Sequence, residues 1–242
     1  MRKLILSFII LLTAGSICVS QYIGNSYRFP TPAPSNQENF EETGTPSSGL
    51  WTAGGGDTSF DRTGHALVSE AMSNNDHNEH SYLTLGGSVT QFHVAFMFDW
   101  EGGESASGST SRPIGFRAGT GSGGSEVCLL NYNQATNPAA VALMLNGSAG
   151  TASSTFTITK NTRYYVWLDF NASGTSSLHI STTTTKPTVG TDTSTSFATS
   201  GTSGSTQPDR FTLIGTRNNG RATIDGVYWS ASSAIGSNPW GF

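Results

Sequence analysis

The sequence predicts an all-β protein built as two antiparallel sheets packed face to face, and three observations carry that reading. Side chains alternate with a period of two through residues 91–100, 163–170 and 221–229, as they must on a strand, where successive residues point to opposite sides. Many short apolar runs are separated by Gly, Ser, Thr and Asn clusters, which is the punctuation of a sandwich. Only 12% of the 242 residues are charged, against about 25% in ordinary soluble domains, a composition that suits extracellular β proteins.

The chain opens with Arg2 and Lys3 ahead of an apolar run over residues 4–12. That run matches the core of a signal peptide and is too short for a bilayer interior of roughly 30 Å. Small-residue cleavage patterns occur at Ala14-Gly15-Ser16 and Cys18-Val19-Ser20. The second is preferred, making residues 1–20 the leader and Gln21 the new N-terminus. Residues 21–37 contain Pro30, Pro32 and Pro34, which cannot donate to a sheet ladder, and predict a linker or leading arm. The domain is expected to occupy residues 38–242.

Within it the expected strands are 66–69, 81–85, 91–99, 113–118, 126–132, 139–145, 155–159, 163–170, 177–181, 210–216 and 221–229. On the third, Phe92, Val94, Phe96, Phe98 and then Trp100 share one face, with His93, Ala95, Met97 and Asp99 on the other. On the eighth, Tyr164, Val166, Leu168 and Phe170 face inward. Arg163, Tyr165, Trp167 and Asp169 are left on a face expected to be exposed or to line a groove. The run 139–145 has a helix-compatible composition, but its short length between turn signals favours a strand. Asn218-Asn219-Gly220 tolerates the positive φ of a type I′ turn and predicts a hairpin joining the last two strands.

Loss of the leader removes Arg2 and Lys3 and leaves ten Lys and Arg against sixteen Asp and Glu, a net charge of −6. Scattered cations in an acidic chain do not make the footprint that nucleic acid or an anionic membrane requires, so neither nucleic-acid binding nor membrane insertion is expected. Cys18 leaves with the leader, so Cys128 is the single mature cysteine and no internal disulfide can form. Its setting, Glu126-Val127-Cys128-Leu129-Leu130, is that of a buried, inert thiol.

Three segments resemble a known family. Asn39-Phe40-Glu41-Glu42-Thr43-Gly44 followed by Gly49-Leu50-Trp51 resembles the start of laminin-G-like jelly-roll domains of the concanavalin A-like lectin/glucanase superfamily. Arg221-Ala222-Thr223-Ile224-Asp225-Gly226-Val227-Tyr228-Trp229 is similar to their closing strand, and Arg163-Tyr164-Tyr165-Val166-Trp167-Leu168-Asp169 to their aromatic central strand. The resemblance implies a two-sheet antiparallel jelly-roll β-sandwich with first and last strands adjacent. It implies no single activity, because the superfamily hosts lectins, adhesion modules, hydrolases and lyases. It also implies a Ca²⁺ site in which Glu41 and Asp225 join the chain ends, with Asp57 and Asp61 as loop ligands, hard oxygens suited to that ion. The competing expectation is that Asp225 accepts backbone hydrogen bonds and that Asp57 and Asp61 cap turns.

Sugar binding needs aromatic faces beside polar groups. Tyr165, Trp167 and Asp169 supply both on one strand face, and Trp229 is expected on the face that also carries Asp225. The competing expectation places these rings in the core, and Trp240 at an end of the sandwich or against a partner. Catalytic patterns are poorer. Asp99-Trp100-Glu101-Gly102-Gly103-Glu104 repeats the acidic spacing of retaining glucanases, which need two carboxylates about 5 Å apart, but its glycines are expected to break the strand. Gln91-Phe92-His93 matches a Gln-x-His motif of alginate-lyase relatives without their accompanying motifs, and Asp76, His77, Glu79 and His80 sit among asparagines typical of a polar turn. Asn146-Gly147-Ser148 and Asn171-Ala172-Ser173 fit the N-glycosylation pattern.

The expected function is therefore a secreted or cell-surface, non-catalytic module that binds a polysaccharide or surface glycan or mediates adhesion, stabilised by calcium. The alternative is a self-assembling surface or fibre subunit forming homo-oligomers or filaments through its arm and strand edges. A polysaccharide hydrolase or lyase ranks third.

Overall fold

The computed structural model describes residues 37–38, 51–54, 67–70, 80–102, 111–119, 125–133, 138–146, 148–149, 155–214 and 221–241. Among them all regular structure is strand. In chain order the strands are β1 (Gln37–Glu38), β2 (Trp51–Gly54), β3 (Leu67–Glu70), β4 (His80–Thr84), β5 (Gln91–Gly102), β6 (Ser111–Ala118), β7 (Ser125–Asn133) and β8 (Ala139–Leu145). They continue with β9 (Ser148–Ala149), β10 (Phe156–Ile158), β11 (Arg163–Asn171), β12 (Thr175–Ser181), β13 (Ser196–Thr202), β14 (Arg210–Ile214) and β15 (Arg221–Ser230). No helix among the described residues is long and apolar enough to cross a membrane.

Two antiparallel sheets result. One has seven described strands in the order β1-β15-β5-β11-β12-β13, with β3 also on β15. The other has eight, β10-β8-β7-β6-β14-β4-β2, with β9 also on β8. Their inner faces are the apolar alternations read from sequence: Phe92, Val94, Phe96 and Phe98 with Tyr164, Val166, Leu168 and Phe170 from the first sheet, and Ile114, Phe116, Leu130, Val141, Leu143 and Phe211 from the second. Phe116 is central, its ring 5.6 Å from Phe92 and from Phe211 and 6.0 Å from Phe170. Cys128 is fully buried here, and burial pushes its thiol up, so it stays a protonated packing group.

The eleven expected strands are present, with ends moved by three residues or fewer. The 139–145 run is a strand because Ala139, Val141, Leu143 and Leu145 pack inward on alternate positions. First and last strands are adjacent, with Gln37 opposite Tyr228 and Glu38 opposite Val227. β1, β2, β9 and β13 escaped the sequence reading, because each is short or, in Ser-Phe-Ala-Thr-Ser-Gly-Thr, carries one large apolar side chain.

One expectation is corrected. β14 and β15 do not form a hairpin: β14 pairs with β4 and β6 in one sheet, while β15 pairs with β1, β3 and β5 in the other. Asn218-Asn219-Gly220 lies outside the described residues, and a turn signal specifies a reversal, not the hydrogen-bonding partner on the far side. Gly102 is the last described residue of β5, where it pairs with Arg221 across a register shift, and Gly103 lies outside the described residues. The free edge of β13 is partly closed by its own preceding loop, through Ala198 N to Thr191 O, Gly190 N to Ala198 O and Thr193 N to Ser196 O. That covering is one way in which sheets suppress edge-to-edge pairing.

Gly115 on β6 is essential to the sheet packing. At φ +152° an added Cβ would overlap the Cys128 carbonyl oxygen and sit 2.8 Å from Leu129 Cα, backbone atoms that cannot step aside. Gly115→Ala is expected to cost at least about 2 kcal/mol, read as a lowered urea midpoint with unchanged m-value.

Candidate functional site

The outer face of the seven-stranded sheet carries the densest set of polar and aromatic side chains described. Strand register arranges it in rows. One row runs Ser230, His93, Asp169, Ser177 and Ser200 across β15, β5, β11, β12 and β13. The next runs Tyr228, Ala95, Trp167, His179 and Ala198, and a third places Asp225, Met97, Tyr165, Ser181 and Ser196 together. Ala95 and Ala198 are small, which leaves room for the Trp167 indole and the His179 imidazole between them.

Asp169 is the hub of the polar half. His93 Nδ1 lies 2.6 Å from its Oδ1, and Lys186 Nζ donates to Oδ2 at 2.8 Å. The Ser177 hydroxyl lies 3.3 Å and His179 Nε2 3.4 Å from Oδ2. Burial by itself pushes this carboxyl up, but the hydrogen bonds from His179 and His93 and the Lys186 ammonium outweigh it and hold the group well below the usual carboxylate range. The outer nitrogens of both imidazoles are also engaged. His93 Nε2 lies 2.7 Å from Gln91 Nε2; His179 Nε2 lies 2.8 Å from Ser177 Oγ, and its Nδ1 donates to the Pro187 carbonyl at 2.8 Å.

The aromatic half is roofed by the chain's own C-terminal segment. The Trp240 ring lies 4.9 Å from Tyr165, 5.3 Å from Trp167 and 6.4 Å from Tyr228, tilted or edge-on to each. Its indole N–H donates to the Gly226 carbonyl at 2.7 Å, and the Trp167 indole N–H donates to the Gly236 carbonyl at 3.1 Å. Lys186 Nζ also donates to the Ile235 carbonyl at 3.2 Å. Trp240 is 4% exposed and Trp167 fully buried. The face expected to be open is therefore covered, and Trp240 sits on a sheet face, not at an end of the sandwich. The Asp169 row and the aromatic rows thus lie side by side on one sheet face, a shelf with Trp240 covering the aromatic part.

Of the glycan-binding candidates, Tyr165, Trp167 and Asp169 are brought together here and Trp229 is not. A bulge between Asp225 and Tyr228, with Gly226 at φ +51°, inverts the alternation. Tyr228 consequently joins the outer face beside Trp167, whereas Trp229 turns inward, half-buried against the core. A glycine inside a strand pattern is the available sequence signal for such a bulge. His179, Lys186 and Tyr228 escaped the sequence reading; Lys186 and His179 sit 17 and 10 positions from Asp169, separations that only strand pairing closes.

Of the calcium candidates, Glu41, Asp57 and Asp61 lie outside the described residues. Asp225 Oδ1 accepts the Gly226 N–H at 2.6 Å, the backbone role that was the competing expectation. No group of three or more potential metal ligands occurs among the described residues, so the described part of the donor set does not by itself fit Ca²⁺. Asp99 accepts a two-nitrogen ion pair from Arg163, at 2.8 and 2.7 Å, and Glu104, Asp76, His77 and Glu79 lie outside the described residues.

No family model and no curated protein matches the sequence. Solved structures do match in shape. Peanut lectin superposes with a TM-score of 0.51 at 10% identity, over 80% of this chain and 94% of that one. The carbohydrate recognition domain of Emp46p, in a potassium-bound form, gives 0.51 at 12% identity over 81% and 96%. Lectin I-B4 of Griffonia simplicifolia, in a metal-free form, gives 0.50 at 10% identity over 81% and 99%. At such identities the likeness is one of fold: this chain shares the two-sheet jelly-roll β-sandwich of these lectins.

The depressed Asp169 fixes the direction of the acid response. An unfolded aspartate titrates near about 3.9, so the native preference for its charged form stabilises the fold above that pH and is lost as pH falls below it. The urea midpoint is expected to drop progressively as pH falls below about 5, and Asp169→Asn to remove on the order of 1 kcal/mol of the change between about pH 5 and pH 3. An unchanged pH profile in the variant would assign the acid response elsewhere.

Proposed function

We propose that this chain is a secreted, non-catalytic module that binds a polysaccharide or surface glycan. The observation that carries the reading is the grouping itself: Tyr165, Trp167 and Tyr228 gather around one position, held here by the Trp240 ring, and Asp169, Lys186 and His179 place charged and hydrogen-bonding groups beside it. A pyranose needs both, stacking its C–H face on an aromatic ring while its hydroxyls exchange hydrogen bonds with polar neighbours. The fold shared with peanut lectin, lectin I-B4 and the carbohydrate recognition domain of Emp46p supports the same reading. Secretion rests on the leader-like residues 1–20 and on the low charged fraction of the sequence.

A non-catalytic role is favoured by the state of the two histidines. A general base needs a nitrogen free to take a proton from the substrate, and in both imidazoles each ring nitrogen already faces a protein partner. Calcium belongs to the proposal only through Glu41, Asp57, Asp61 and Asp225. A melting temperature that rises with added Ca²⁺ and falls with chelator would support that site; identical melting in both would remove it.

Glycan binding is tested by retention of the full chain on immobilised neutral and uronate polysaccharides. Retention on at least one is expected, with Tyr165→Ala weakening it about tenfold, or about 1.4 kcal/mol, at unchanged circular dichroism. Failure to bind any member of the panel would overturn the reading.

A further inference from the structure

We propose that residues 231–240 are a displaceable strap and that Trp240 holds, in the closed state, the position a sugar ring takes in the bound state. The inference rests on the glycan-binding reading above and assigns that site its occupant and its control. Three hydrogen-bonding groups of the shelf have partners in the strap: Lys186 Nζ, which also holds Asp169, in the Ile235 carbonyl, the Trp167 N–H in the Gly236 carbonyl, and the Gly226 carbonyl in the Trp240 N–H. When the strap leaves, whatever replaces it must offer two acceptors, one donor and a flat face for Tyr165, Trp167 and Tyr228, because buried polar groups left unpaired are costly. A hydroxylated ring meets all four requirements, since each hydroxyl both donates and accepts. A phosphate or carboxylate alone meets fewer, having no donor for the Gly226 carbonyl and lying against the ionised Asp169.

The strap is built to leave without disturbing the sandwich. It follows β15 and is no part of either sheet ladder, so opening it breaks no strand pairing. Residues 231–234 are small and exposed, and Ser232 N and Ser233 N turn back to the Ser230 hydroxyl at 3.2 Å each. Beyond them, Asn238 N donates to the Thr184 carbonyl at 2.8 Å and Lys186 N to Ser237 Oγ at 3.1 Å, ties to the loop after β12. Gly226 completes the seat: a Cβ there would meet Trp240 Cδ1 at 2.8 Å and Met97 Cε at 2.7 Å, so the ring rests directly on backbone. Closure then lowers apparent glycan affinity by the fraction of molecules that are open.

The test compares the full chain with Trp240→Ala, using a soluble oligosaccharide of whichever polysaccharide retains the protein. Trp240→Ala is expected to bind it at least tenfold more tightly. Saturating the intact chain with the same oligosaccharide is expected to increase iodide quenching of tryptophan fluorescence, as Trp240 enters solvent, and to leave Trp240→Ala without that increase. Equal or weaker binding by a natively folded Trp240→Ala, or quenching unchanged at saturation, overturns the strap while leaving glycan binding intact. Binding by neither protein to any sugar overturns both. If Trp240→Ala does not fold, the quenching of the intact chain decides.

Discussion

The bulge at Asp225-Gly226 is the constraint on which the outer face depends. In an unbroken strand Asp225, Val227 and Trp229 would share a face and Tyr228 would oppose them. One irregularity with φ +51° at Gly226 separates them, sending Val227 and Trp229 toward the core and Tyr228 outward to meet Trp240. The same glycine offers its carbonyl to the Trp240 indole and, lacking a Cβ, the space in which that ring lies. A single backbone irregularity thus sets both the composition of the shelf and the anchorage of its cover.

Charge balance around Asp169 imposes the second constraint. A carboxylate this buried is tolerated only when hydrogen-bonded and paired. Here two imidazoles, a serine hydroxyl and the Lys186 ammonium from three separate segments converge on it. Lys186 does double duty, since the ammonium that neutralises Asp169 also holds the Ile235 carbonyl. The polar hub and the C-terminal segment are therefore physically linked through one side chain, and the closed state of the face is a property of the whole cluster.

The jelly-roll β-sandwich explains why such a face exists without saying what it does. A sandwich must bury one face of each sheet and is free to decorate the other, so chemistry is written on outward positions whose identities the core does not restrict. On this chain those positions in β5, β11, β12 and β15 carry His93, Trp167, Asp169, His179 and Tyr228 in adjoining rows.

The strands and their inward sides were legible in sequence because burial repeats with the strand's own period: Phe92 to Phe98 and Tyr164 to Phe170 declare their face without any knowledge of their neighbours. Tyr165, Trp167 and Asp169 were legible as a set for the same reason, lying two apart on one strand. The sheet in which β14 lies, the inversion that exchanges Trp229 for Tyr228, and the arrival of Lys186 and Trp240 over Asp169 and Trp167 were decided by tertiary structure. Local periodicity records only which side of a strand is dry; which distant segment completes a hydrogen bond or covers a ring depends on pairings between residues tens of positions apart, to which no local pattern responds.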